Sequence, residues 1–280
     1  MKKSALIATL ATTAIGVAAL AHVPAAQARD MKTIQETKTL ICGTQNASPP
    51  YAFQDPATRT FVGYDVDMCK AVADGLGLKF EHKAMSTEAR IPELRTGRID
   101  MLAASMAYLP ERAEQVDYSL QYLQGSIKIL VRKDANINSL ADLDGKRVCA
   151  SKGSSSAAIA ARVLPKAQMV SYQDLNTCYL GLQNGKVDAM SGGELVLKRF
   201  AVDSKKAGAE AVLIDEPIYT ERIGLAVGKG NTELLEAVNE QLVKLDKDGT
   251  IDRLYEKWLG KESIYELTRQ FKVEPVAPSN

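Results

Sequence analysis

An α/β protein made of two related lobes is the fold class that the 280-residue sequence predicts, and three observations carry it. Short apolar runs of strand length alternate with longer stretches of helical periodicity. The segment Leu94-Arg95-Thr96-Gly97-Arg98-Ile99-Asp100-Met101 is echoed 88 residues later by Leu182-Gln183-Asn184-Gly185-Lys186-Val187-Asp188-Ala189. Leu40-Ile41-Cys42 is likewise echoed by Arg147-Val148-Cys149, each run ending in a cysteine and opening into a small-residue loop, Gly43 to Ser48 and Ser151 to Ser156. Coincidental αβ turns within one doubly wound domain are the alternative. The balance of 35 basic against 34 acidic residues excludes a nucleic-acid binder driven by counterion release and an acidic disordered chain.

The first 28 residues read as an export signal and not as part of the fold. Lys2-Lys3 form the positive start, Ala5 to Ala21 are apolar or small, and Ala26-Gln27-Ala28 is an A-x-A cleavage site. Thr9, Thr12, Thr13 and Gly16 interrupt the run, so a retained anchor helix is the weaker reading. No cysteine follows the run to carry a lipid. Cleavage after Ala28 leaves 33 basic and 34 acidic residues. No later segment has the roughly 18 to 20 uninterrupted apolar residues of a spanning helix. A soluble, exported protein is expected.

Within the mature chain, Thr39-Leu40-Ile41-Cys42 reads as a strand. Val66 to Leu76 reads as a helix with Met68, Ala71, Val72 and Leu76 on one face. Ile91 to Thr96 is a second helix ended by Gly97, and Ile99 to Ala104 a short buried strand. Tyr122 to Gly125 leads from the first lobe into the strand Ser126 to Val131, and Pro217 to Arg222 is the return before the strand Ile223 to Val227. Asn231 is placed to cap a helix with Leu234, Val238, Leu242 and Leu245 inward, and Thr250 to cap the next, with Leu254, Tyr255, Trp258 and Leu259 inward. Trp258 reads as core. The tail after Phe271 reads as loose.

The chemistry the chain lacks narrows its function. The mature part holds one histidine, His82, beside a strand, and no C-x-x-C, H-E-x-x-H, G-x-S-x-G or phosphate-loop motif. Ser154-Ser155-Ser156 have no histidine partner for a nucleophilic triad. No cofactor or metal is implied. In an oxidising compartment, four cysteines without metal spacing favour disulfides. Cys42 with Cys69 and Cys149 with Cys178 would tie the first strand of each lobe to a helix, although three connectivities and buried free thiols stay open.

At Gly63-Tyr64-Asp65-Val66-Asp67-Met68 the sequence resembles the signature of family 3 solute-binding proteins, the polar amino-acid receptors of bacterial ABC importers. Ile91-Pro92-Glu93-Leu94, Leu109-Pro110-Glu111-Arg112 with Val116-Asp117-Tyr118-Ser119, Ser139 to Gly145, and Gly249-Thr250 to Trp258 agree, in order along nearly the whole mature chain. The resemblance implies a type II-like periplasmic binding protein. Lobe one is residues 29–123 and 230–280, the hinge strands are 124–127 and 221–229, and lobe two is 128–220, with a ligand cleft between the lobes. It implies a monomeric periplasmic receptor that captures a small polar carboxylate, an amino acid or close analogue, for a membrane permease, with no nucleic acid. A scaffold-related enzyme resembling cyclohexadienyl dehydratase, with Glu194 as its acid, and a ligand sensor are the alternatives.

By the same resemblance, Arg112 is similar to the family's carboxylate-binding arginine, and a guanidinium suits that task because its fork meets both oxygens. Ser105 supplies a hydroxyl or backbone contact, and Gly153, Ser154 and Ser155 approach from lobe two. Arg90, just before Ile91-Pro92, stands where an arginine faces the ligand in relatives that bind acidic side chains. Four positions depart from the pattern. Ala107 replaces a hydroxyl residue, Ser48 stands where an aromatic covers the ligand with Tyr51 close by, and Gln45 replaces an acid. Gly193 replaces the aspartate that receives the α-ammonium, with Glu194 one position later. Two readings follow: Glu194 takes over, or the ligand has no α-amine.

Overall fold

The computed structural model describes residues 28–277, so all of the expected signal segment but Ala28 lies outside the described residues. Two long antiparallel strands, Val116–Arg132 and Tyr219–Gly228, run through the middle of a nine-stranded sheet. On one side Tyr219–Gly228 pairs with Met101–Leu102, and then come Thr39–Gln45 and Lys79–Met85, mutually parallel. On the other side Val116–Arg132 pairs with Ala189–Gly193, followed by Arg147–Ser151 and Gln168–Tyr172, again mutually parallel. Each half is a parallel α/β unit and the two long strands are shared between them.

All but Lys229 of the residues expected as hinge strands lie within this shared pair, with Gln124 opposite Arg222 and Ile127 opposite Tyr219. The register shifts between Ile223 and Gly224 and again between Gly224 and Ala226. Such bulges bend and twist a strand locally. The chain therefore changes direction where it passes from one half into the other.

The repeated motif folds the same way twice. Gly97 and Gly185 take φ of 67° and 65°, the left-handed geometry that ends each helix without a Cβ clash. The aspartate that follows braces the neighbouring strand by a reciprocal pair of bonds. Asp100 N–H donates to Ile41 O and its Oδ2 accepts from Ile41 N–H at 2.7 Å. Asp188 does the same with Arg147, at 2.8 Å to its N–H. Each half also carries one disulfide from its first strand to a helix, Cys42–Cys69 and Cys149–Cys178.

Helix Tyr64–Gly75 begins two residues earlier than its apolar periodicity predicts, with Asp65 and Asp67 in its first turn complementing the helix dipole. It buries Met68, Val72 and Ala73 against Leu234, Val238 and Leu242 of helix Thr232–Lys247. Helix Arg90–Arg95 also starts early, and the expected strand Ile99 to Ala104 shortens to Met101–Leu102. Asn231 occupies the cap position, but its side chain donates to Arg29 O, and Thr250 is the first residue of its helix after Gly249. Trp258 packs against the core and donates its indole N–H to Asp67 Oδ2 at 2.7 Å.

Up to residue 277, the last one described, the tail after Phe271 is not loose. Gln121 N–H donates to Glu274 O at 2.7 Å, Gln121 Nε2 to Lys272 O, and Leu120 bridges Pro275. Backbone pairing with the first long strand, together with burial of Val276, fixes a segment whose composition alone suggests a free end.

Candidate functional site

A cavity of about 270 Å³ lies between the halves, walled by both and floored by the second long strand. Gln45, Ser48, Tyr51, Thr87, Arg90 and Ser105 line it from the first half, Ser151, Ser154, Ser155, Gln173 and Asp174 from the second, and Glu221 from the floor. The volume lies just under the roughly 300 Å³ at which pockets for drug-sized ligands begin. The lining is mostly hydroxyl and amide, with Tyr51, Leu175 and Val196 among its apolar parts.

Arg90 is 4% exposed and held on three sides. Its Nε donates to Thr87 O and its Nη1 to Ala104 O, both at 2.8 Å, and Nη2 reaches Gly153 O at 3.3 Å. A guanidinium has five N–H donors, so two remain for a guest. Burial, and then the neighbouring Arg112 charge, pull its pKa down to about 9, which leaves it cationic at neutral pH.

Arg112 does not line this cavity. It sits behind Arg90, where a separate hollow of about 250 Å³ is lined by both arginines, Met106, Lys152 and Gly153. Its Nη1 donates to Ala107 O at 3.1 Å and its Nη2 to Gly153 O at 3.0 Å. Two guanidiniums from one half therefore hold a single oxygen, the Gly153 carbonyl of the other. Gly153 has φ of 73°, and a Cβ there would meet Glu88 Cα at 3.1 Å, so the halves approach closely at a residue without a side chain.

The second half offers a helix N-terminus. Ser154 caps helix Ser155–Val163, its Oγ accepting from Ala157 N–H at 3.1 Å. The amides of Ser155 and Ser156, in the first turn, have no acceptor within the helix and stand where an anion is stabilised. Around the rim, Lys152 Nζ pairs with Glu88 at 2.9 Å and Gln173 Nε2 donates to Glu88 at 3.1 Å, closing one edge of the cleft.

Ser105 is placed by Asp65. Its backbone takes φ of 48°, and its N–H donates to Asp65 Oδ2 at 2.9 Å, while Tyr122 OH donates to Asp65 Oδ1 at 2.7 Å. Asp65 is fully buried, and desolvation pushes its pKa up to about 6 against the pull of those two bonds. The Gly63-Tyr64-Asp65-Val66-Asp67 signature is thus structural here: Tyr64 donates to Tyr122 O, Asp65 sets the Ser105 loop and Asp67 ties down Trp258.

Glu194 is not brought to the cleft. It opens helix Glu194–Lys206, pairs with Lys128 at 3.0 Å and lines a different hollow, with Gly125, Tyr255 and Phe271. The structure thus places Glu194, expected to receive a ligand's ammonium, against Lys128 and outside the lining of the cavity. Gly193 does line the cavity, and Gln45, whose Nε2 donates to Thr87 Oγ1 at 2.9 Å, lies at its edge. His82 is outside it, bonded to Thr44 Oγ1, with burial holding its pKa below the usual histidine value.

Glu221 was missed by sequence reasoning, and a signal for it exists. It stands in strand phase with Ile223, Leu225 and Val227, all buried, so a charge occurs on an apolar face.

Residues 40–261 match the family model described as bacterial extracellular solute-binding proteins, family 3. The chain belongs to that family. A glutamine-binding protein of an ABC transporter from Bacillus subtilis (strain 168) is 29% identical over 236 residues, covering 83% of this chain and 85% of that protein. A putative arginine-binding protein of an ABC transporter from Escherichia coli (strain K12) is also 29% identical, covering 80% of this chain and 92% of its own. Among solved structures, an ancestral arginine-binding protein bound to arginine superposes with a TM-score of 0.75 at 37% identity, over 80% of this chain and 99% of that one. An ancestral amino acid-binding protein, a precursor of cyclohexadienyl dehydratase, gives a TM-score of 0.72 at 34% identity, over 81% and 98%. These family 3 neighbours share the two-lobed α/β architecture described above.

Proposed function

We propose that this chain captures a small amino acid or closely related carboxylate outside the cytoplasm and delivers it to the membrane permease of an ABC importer. One observation carries the reading: a largely polar cavity between the lobes with a buried arginine on one wall and a helix N-terminus on the other. A carboxylate taken out of water needs both kinds of partner, and Arg90 with the Ser155 and Ser156 amides offers them from opposite lobes. Arg112 reinforces Arg90, since both already converge on one oxygen. A guest held from both sides favours closure by its differential affinity for the closed state. The relatives named as glutamine- and arginine-binding proteins support an amino acid as the guest.

The export segment supports a periplasmic location with cleavage after Ala28, and the single-chain cleft supports action as a monomer. Lobe one is residues 29–123 and 230–280, lobe two is 128–220, and the hinge strands are 124–127 and 221–229. The enzymatic alternative takes Glu194 as its acid, and Glu194 pairs with Lys128 outside the cavity lining; the relatives, named as binding proteins, favour the receptor reading.

A thermal-shift panel of L-amino acids, their 2-oxo and 2-hydroxy analogues and dicarboxylates tests the proposal. A true ligand at ~100 times its dissociation constant adds ~2.7 kcal/mol of stability. No stabilisation by any carboxylate contradicts capture of this class.

A further inference from the structure

We infer that Glu221 receives a cationic nitrogen of the bound molecule, so that the guest is an amine-bearing carboxylate and not a deaminated acid. This rests on the reading of the cleft as a carboxylate receptor and names the second half of the guest.

Glu221 and Asp174 are the only acidic side chains lining the cavity among the described residues. Asp174 is committed elsewhere: as the cap of helix Leu175–Gln183, its Oδ1 accepts from Thr177 N–H and Thr177 Oγ1, both at 2.8 Å. Glu221 is 5% exposed and accepts one hydrogen bond, from Ser155 Oγ at 2.5 Å to Oε1. Oε2 has no hydrogen-bond partner among the described residues, and no cation lies within ion-pairing distance. The two arginines that share its neighbourhood point their donors at the carbonyls of Thr87, Ala104, Ala107 and Gly153.

A buried carboxylate with no ion pair, offset only by the more distant charges of Arg90 and Arg112, is costly, and a guest ammonium reduces that cost while offsetting its own desolvation. The placement suits recognition in two further ways. Glu221 belongs to a strand shared by both halves, so it forms part of the floor beneath the guest. Its Ser155 bond ties it to the helix whose N-terminus faces the guest's carboxylate, so the acceptor for an ammonium lies beside the donors for a carboxylate, as the two groups of an α-amino acid require. Burial drives the Glu221 carboxyl toward its neutral form, a tendency that a bound ammonium would reverse. The pair Arg90 and Glu221 thus complements a zwitterion, and Gly193 and Glu194 need take no part.

The test is titration calorimetry of wild type, Glu221→Gln and Glu221→Asp with the L-amino acid that binds wild type most tightly and with its 2-oxo acid. Unliganded melting curves accompany it to report the fold. A charged hydrogen bond predicts that wild type prefers the amino acid by at least about tenfold. Glu221→Gln should abolish that preference by weakening the amino acid alone, and Glu221→Asp should keep it. Equal loss for both ligands in Glu221→Gln makes Glu221 a hinge strut and overturns the inference. Equal binding of both ligands by wild type also overturns it while leaving carboxylate capture intact. A wild type that binds no amino acid and no 2-oxo acid overturns both.

Discussion

The two lobes are built from the same local parts and differ where they meet the cleft. Each has a parallel sheet, a disulfide from its first strand to a helix, and a left-handed glycine followed by an aspartate that braces that strand. The loops that follow the strands diverge. Lobe one presents arginine side chains, Arg90 in the cleft and Arg112 behind it. Lobe two presents a serine-rich turn and a helix N-terminus at Ser154 to Ser156. The shared parts make the frame, and the divergent loops give the cavity one strong cation on one side and neutral donors on the other. The two walls already touch through the Gly153 carbonyl and the Glu88 rim, and a guest held from both sides would add to those contacts.

The comparison is broken most severely by removing the cationic side. Replacing Arg90 with alanine leaves a buried carboxylate under-paired, an expected loss of ~3 to 5 kcal/mol of binding, or at least ~100-fold in affinity. Calorimetry with the tightest amino acid checks this, alongside unliganded melting, because Arg90 also serves three backbone carbonyls.

The disulfides come next and probe the likeness of the lobes. Their sequence separations are 27 and 29 residues, so each closes a loop of similar size. Removing either pair by Cys→Ala changes should lower stability by about 3 to 4 kcal/mol in urea melts. A much larger loss for one pair would show that the two frames are not energetically equivalent.

A smaller effect separates the two bracing aspartates, which do one job in opposite electrostatic settings. Asp188 is gripped through both its oxygens by Arg147 Nε and Nη2, and this holds its pKa down to about 2. Asp100 is fully buried, its Oδ1 has no partner, Arg29 stands at 3.4 Å, and desolvation raises its pKa. With its folded pKa depressed, Asp188 stabilises the fold above about pH 4, and that stability is lost as the pH falls toward 2. Asp100 acts in the reverse sense, favouring the fold at low pH and losing that contribution as the pH rises through its raised value. Asp188→Asn should cost roughly 1 to 2 kcal/mol at neutral pH, after discounting for a part-exposed pair, and flatten the acid limb of the stability curve. Asp100→Asn should cost less at neutral pH than in acid. Identical pH profiles for the two variants would contradict the contrast.

The smallest effect is expected outside the cleft. The Lys128–Glu194 pair is partly exposed and is worth about 0 to 1 kcal/mol. Glu194→Gln should leave ligand affinity essentially unchanged, and a large loss would return Glu194 to the site.

The frame was legible in the sequence because it repeats. The echoed Leu-x-x-Gly-basic-x-Asp segment and the paired cysteines exposed two lobes before any tertiary information, since glycine and cysteine carry local meaning. The site was only partly legible. Arg90, Ser105, Ser154 and Ser155 were named, but sequence position cannot say whether a side chain points into a cleft or behind it, and Arg112 and Glu194 differ from expectation on that ground. Glu221 escaped because strand periodicity was used to find apolar faces and not the charge interrupting one. The tail escaped because its partners, Leu120, Gln121 and Arg222, are distant in sequence.

Small-angle X-ray scattering with and without the tightest amino acid of the panel tests most directly whether the two walls close on a common guest. A smaller radius of gyration with wild type, and none of that contraction with Arg90→Ala at the same ligand concentration, is the expected result. Scattering curves that superpose with and without a ligand proven to bind would contradict the account.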